Sequence, residues 1–120
     1  MRIKLPLPPN RANARWHWAT ELRLKKEYFE KAGLWLLPQR QKPEDWRAVN
    51  ISAVLYVWAI SDYDNLYARL KWPLDFLVNN SFIYDDSPAV LKWVTPLEQE
   101  IDRKNQRIEF RITQMLDDEK

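Results

Sequence analysis

Residues 46 to 60, Trp-Arg-Ala-Val-Asn-Ile-Ser-Ala-Val-Leu-Tyr-Val-Trp-Ala-Ile, decide the fold. Val49, Ile51, Val54, Tyr56, Val57, Trp58 and Ile60 are β-branched or aromatic, so the run predicts a strand. Asn50 and Ser52 make one face partly polar at its start, whereas Ala53 to Ile60 is apolar on both faces. That pattern predicts a central strand. Its carboxyl end delivers Ser61 and Asp62 to the lip of the sheet.

Outward from this strand, Gln106 to Thr113 alternates cleanly, with Ile108, Phe110 and Ile112 on one face and Arg107, Glu109, Arg111 and Thr113 on the other. Arg2 to Leu7 alternates basic with apolar residues before Pro6, Pro8 and Pro9 stop it or confine it to an edge. Phe82 to Tyr84 and Ala89 to Thr95 predict short strands, and Pro96 to Asn105 a polar turn. Thr20 is a fitting N-cap for a helix carrying Leu22, Leu24, Tyr28, Phe29, Ala32, Leu34, Trp35 and Leu36, which Gly33, the only glycine, ends or bends. Pro38 to Asp45 is a polar connection. Asn65 caps a second helix through Leu66, Leu70, Leu74 and Leu77, where Pro73 forces a kink or a restart at Trp72 or Pro73. Strands outnumber helices and do not alternate strictly with them. The expected fold is α+β, a small mixed sheet with helices packed against it, as one domain over residues 1–120.

Composition narrows the chemistry. The chain has 120 residues, 46% hydrophobic and 30% charged, with no apolar run of 18 residues and no signal peptide, which predicts a soluble, cytoplasmic protein without a membrane partner. No Cys and a single His exclude thiolate zinc sites, Cys nucleophiles and His-rich metal centres. Any metal must take oxygen ligands. One glycine excludes phosphate loops and dinucleotide folds, and no organic cofactor is expected. Residues 1–47 carry eleven Lys and Arg against five Asp and Glu, net +6, while residues 48–120 carry eight against twelve, net −4. A basic surface beside an acidic metal pocket suits a phosphodiester substrate, although a solvated basic helix gives the same count. Arg11 and Arg15 interleave with Trp16, His17 and Trp18, a pairing suited to phosphate and an unstacked base, and the two tryptophans serve equally as core.

Asp62 and Asp64, two apart at a strand end, would project to one side, and Asp85 with Asp86 closes the same segment. Two carboxylate pairs around an apolar stretch meet the needs of magnesium or manganese, which take carboxylate oxygens plus water. Aspartates of this kind are also ordinary turn and cap residues. A calcium loop of the EF-hand kind is excluded, since Tyr67 and Pro73 stand where its Gly and Glu belong.

Asp62-x-Asp64-Asn65-Leu66, then Lys71-x-x-x-Asp75, then an apolar run into Asp85-Asp86-Ser87, resembles the RusA-type Holliday junction resolvases. Leu5-Pro6-Leu7-Pro8-Pro9-Asn10 is similar to that family's opening. The resemblance runs from about Ile3 to Ile112 and is specific in those two segments. It implies Asp62, Asp64 and Asp86 as metal-binding and catalytic aspartates, with Asp85 assisting; a bound Mg2+ or Mn2+; nicked products with a 5′-phosphate; a homodimer matching a two-fold four-way junction; and a bacterial or phage setting. Arg11, Arg15, Lys25 and Lys26 are the candidate DNA contacts. One departure concerns the family's lysine, which follows the second Asp by four residues, where this chain has Ala68. Lys71 follows Asp64 by seven, as a three-residue insertion would leave it, and helical positions four and seven lie within about 60° of each other. Lys71 is therefore the candidate catalytic ammonium, against the plainer role of an exposed partner for Asp75. Two rival readings remain: a non-cleaving DNA-binding or assembly protein of similar fold, and a metal-dependent nuclease for other branched DNA.

Overall fold

The computed structural model describes residues 1–9 and 17–115. Chain order is β1 (Arg2–Leu5), α1 (Trp18–Leu36), a 3-10 turn (Leu37–Gln39), β2 (Val49–Val57), α2 (Tyr63–Ala68), α3 (Lys71–Asn79), β3 (Leu91–Trp93), β4 (Glu98–Ile101) and β5 (Arg107–Gln114). The five strands form one mixed sheet, ordered β1, β5, β2, with β3 and β4 sharing the far edge of β2. β5 runs antiparallel to both β1 and β2, whereas β3 and β4 run parallel to β2. This is the small α+β fold expected from the sequence.

β2 is central, but its two faces differ. Val49, Ile51, Ala53, Leu55 and Val57 are buried, while Asn50, Ser52, Val54 and Tyr56 are half-buried. The strand ends at Val57, and Trp58 and Ile60 are exposed. The apolar run therefore does not mark a strand covered on both sides, because helices pack on one face only. Their contribution is Tyr28 and Ala32 from α1 and Trp72, Phe76 and Leu77 from α3, set against Ile3, Leu5, Ile108, Phe110 and Ile112 of the sheet. Tyr28 and Trp72 rings lie 6.0 Å apart, and the buried Tyr28 hydroxyl donates to the Pro6 carbonyl at 2.7 Å. Burial pushes that phenol well above its ordinary value of 10.0.

Two glutamines close backbone groups that the ladder leaves open. Gln39 accepts from Lys4 N at 2.8 Å and donates to Lys4 O at 2.6 Å, acting as one more strand on the outer edge of β1. Gln99 of β4 accepts from Ser61 N at 3.0 Å and donates to Ser61 O at 2.7 Å. That second pair fixes the chain as it leaves the sheet toward α2.

Local elements correct several expectations. His17, not Thr20, caps α1, its Nδ1 accepting from Ala19 N at 3.2 Å. The helix continues through Gly33, where a Cβ would meet nothing within 4 Å, so the glycine neither ends nor clears a contact. Asp62, not Asn65, caps α2. The second helix breaks at Arg69 and Leu70 and restarts at Lys71, which puts Pro73 in the first turn of α3, where a missing N–H costs no intrahelical bond. Phe82 to Tyr84 is not a strand. Ser81 is left-handed at φ 66°, Phe82 N donates to Leu77 O at 2.9 Å and Ser81 N to Val78 O at 3.1 Å, so these residues close α3 in a Schellman turn. Conversely, the expected polar turn from Pro96 contains β4, whose Glu98 and Glu100 face away from the core.

Candidate active site

Past β2, the chain bends through Ser61 into α2. Asp62 holds an extended backbone, and its Oδ1 accepts from Asn65 N at 3.0 Å; Asp64 sits in the first turn. The pair therefore lies at a helix start rather than a strand end, and Asp62 has a structural task there. Negative side chains are favoured in that first turn by the helix dipole. Buried, unpartnered polar atoms stand at both ends of α2: Ser61 Oγ before it and Arg69 Nε after it. Burial also lowers the pKa of the Arg69 guanidinium. Leaving such a group unsatisfied costs about 1–3 kcal/mol, and two of them flank the Asp62–Asp64 turn. From sequence, Arg69 is only the fallback for Lys71 as the catalytic cation, and nothing in Tyr67-Ala68-Arg69-Leu70 signals that the side chain turns inward.

The second aspartate pair follows the Schellman turn. Asp85 Oδ1 accepts from Asp86 N at 2.8 Å, and both residues are exposed. They line a hollow of about 400 Å³ together with Lys25 and Phe29 of α1 and Asp75, Val78 and Asn79 of α3. Lys25 Nζ lies 2.8 Å from Asp75 Oδ2 and over the Phe29 ring at 5.6 Å. Phe29 in turn meets Phe76 edge to face, with centroids 5.5 Å apart, which locks the wall. Lys71 reaches the same Asp75 oxygen at 3.9 Å, with its side chain 66% exposed.

The structure thus places Asp85, Asp86 and Lys25 around one hollow, with Asp62 and Asp64 outside its lining at the start of α2. Lys71 forms the i,i+4 pair with Asp75. Lys26 is exposed on α1. Arg11 and Arg15, with Trp16, lie outside the described residues. Among the described residues, no three Asp, Glu or His side chains gather closely enough to hold one ion. The donor chemistry still suits a hard cation, since magnesium is commonly held by one or two carboxylates plus water and substrate phosphate. Asp85 and Asp86 are the adjacent pair that meets that requirement.

Asp75 was legible as a spacing mark between Lys71 and Asp85 and as an i,i+4 partner of Lys71, but not as a partner of Lys25. Its role as common partner of Lys25 and Lys71 depends on α1 crossing α3, which no local pattern encodes. Lys25 faces three carboxylates in this hollow, Asp75, Asp85 and Asp86, so the lining is net negative. Such a hollow offers carboxylates to a cation, and a bound cation would reverse its sign toward a phosphate. Neither protein-family models nor curated proteins give a match to the chain. No helix among the described residues is long and apolar enough to cross a membrane.

Proposed function

We propose that the protein is a magnesium-dependent, structure-selective endonuclease that cuts four-way DNA junctions by paired nicking, in the manner of the RusA-type resolvases it resembles. The observation that carries this reading is the hollow where Asp85 and Asp86 stand beside Lys25 and Asp75. A magnesium or manganese ion would be held by Asp85 and Asp86, with Asp62 and Asp64 as the remaining candidates, and would supply charge stabilisation and an activated water. The chain's own cations then have distinct tasks. Lys25, held by Asp75, orients an ammonium toward the incoming phosphate, and Lys71 supplies a second, more exposed one. Lys26 and the arginines of the first half contribute backbone attraction. The working unit is a homodimer, as a two-fold junction demands, in the cytoplasm of a bacterium or its phage.

The division of the aspartates into two pairs on two elements favours a second reading, a DNA-binding protein of similar fold that does not cleave. A gel comparing a synthetic four-way junction, a linear duplex and a flap, each with magnesium or a chelator, separates these. Symmetric nicks on the junction alone, dependent on magnesium, are expected. Binding without cleavage supports the second reading, and cleavage of flaps in preference to junctions a branched-DNA nuclease of another specificity.

A further inference from the structure

The sheet face turned away from the helices carries an arrangement the reading above does not use. Register sets Arg2 of β1 directly opposite Arg111 of β5, and Arg111 directly opposite Ser52 of β2. The next row holds Lys4, Glu109, Val54 and Glu98, and the row after that Arg107, Tyr56 and Glu100. Arg107 is neutralised: its Nε donates to Glu109 at 2.6 Å, its Nη1 donates to Asp102 at 3.0 Å, and its guanidinium lies 3.8 Å from the Tyr56 ring centre. Among the described residues, Arg2 and Arg111 have no such partners, since neither is in an ion pair or a side-chain hydrogen bond.

Like charges directly opposite on a sheet destabilise it, with Cβ atoms only about 5 Å apart. An oxyanion between the two guanidinium groups reverses the sign of that interaction. Space for one is present: both arginines line a hollow of about 500 Å³ that also receives Lys4, Ser52, Thr95, Glu98 and Glu109. We propose that this hollow binds a phosphate group of a nucleic-acid backbone, with Arg2 and Arg111 as paired donors and the Ser52 hydroxyl beside them. Guanidinium forks match phosphate oxygens two at a time, which a lysine cannot do. Glu98 and Glu109 on the far wall repel a second negative charge, so a singly charged diester is preferred to a doubly charged monoester. Tyr56 is covered by Arg107, so the face offers no free stacking platform and the contact is indifferent to base sequence. The inference rests on the nucleic-acid reading only for the source of the phosphate, because cleavage plays no part in it.

The test uses the full chain in chelator, with two readouts. Dimethyl phosphate, followed through the arginine Nε–Hε NMR signals, is expected to shift Arg2 and Arg111 saturably and more strongly than inorganic phosphate does. On a short linear duplex, Arg2→Gln with Arg111→Gln is expected to lower the slope of log affinity against log salt by about two, roughly one unit per lost contact. Arg111→Lys, which keeps the charge and loses the fork, should hold the slope and weaken affinity, and it serves where the double variant fails to fold. Unmoved arginine signals, or a duplex-binding parent whose variants keep its affinity and slope, overturn the proposal. A parent that shows both effects yet cuts no junction overturns the nuclease reading alone.

Discussion

Lys25 Nζ stands 2.8 Å from Asp75 Oδ2, tying α1 to α3 at the rim of the hollow that holds Asp85 and Asp86. The two side chains are 35% and 25% exposed, so solvent screens the pair and its stabilising contribution is about 1 kcal/mol or less. Its value lies in direction. A lysine stem free to rotate would point into water, whereas this one is held between a carboxylate and the Phe29 ring.

Asp62 combines a structural and a proposed chemical role, and two substitutions separate them. Asn caps a helix about as well as Asp, so Asp62→Asn should leave unfolding free energy nearly unchanged, while Asp62→Ala should lose about 0.5–2 kcal/mol. Denaturant unfolding reads that difference. Junction cutting should vanish in both variants, as in Asp64→Asn and Asp86→Asn, while binding persists, since losing a negative charge does not weaken attraction to phosphate. Full cutting by Asp62→Asn would confine Asp62 to its capping role.

Ser81 occupies the left-handed position of the turn that closes α3. A residue with a Cβ pays about 1–2 kcal/mol there, and glycine does not. Ser81→Gly should therefore raise stability by about 1 kcal/mol, after the greater freedom of glycine in the unfolded chain is deducted. Thermal unfolding checks this. A fall in the midpoint would show that the serine side chain stabilises the turn.

Tyr28 makes stability fall at alkaline pH. Its folded pKa is raised by burial above the ordinary value of 10.0, so the folded chain keeps a proton that the unfolded chain releases. The stabilisation is complete below about pH 10 and declines above it, by about 1.4 kcal/mol per pH unit. Tyr28→Phe should be less stable near neutrality, having lost the hydrogen bond to Pro6, yet show a flatter decline above pH 10. Equal slopes for parent and variant would place the alkaline sensitivity elsewhere.

The legible parts of this chain are those where one side faces the core. Ile108, Phe110 and Ile112 announce β5 because only one face of that strand is covered, and Arg2 to Leu5 announces β1 for the same reason. Glu98-Gln99-Glu100-Ile101 hides β4, since an edge strand held by backbone bonds needs no apolar face of its own. Phe82 and Ile83 misled in the opposite sense: they are buried beneath a helix cap, and burial alone does not distinguish a strand from a turn. The aspartates were visible as residues, but their grouping was not. Asp85 and Asp86 meet Lys25 only because α1 lies across α3, some fifty residues apart in sequence. Arg2 opposite Arg111 is likewise a consequence of register between the first and last strands.

The geometry holds Lys25 and Lys71 differently, and the better-held one is not the lysine that the motif named. Lys71 was the candidate ammonium by motif, through a presumed insertion. It meets Asp75 at 3.9 Å from the exposed side of α3, where an ion pair contributes only about 0.3–0.5 kcal/mol. Lys25 meets the same carboxylate at 2.8 Å, lines the hollow and is packed on Phe29. Preorganised charge stabilises a transition state more than mobile charge, because no reorganisation is needed when the negative charge develops. Lys25→Met, which keeps the stem over Phe29 and deletes the charge, should therefore slow single-turnover junction cutting by about a hundredfold, with junction affinity reduced far less. Lys71→Ala should slow it by less than tenfold. Asp75→Asn provides the positioning control: both ammonium groups remain, but the hold on Lys25 is lost, so the rate should fall while the salt slope of binding is unchanged. If Lys71→Ala loses a hundredfold and Lys25→Met is within threefold of the parent, the motif lysine is the catalytic one and Lys25 is a strut between two helices.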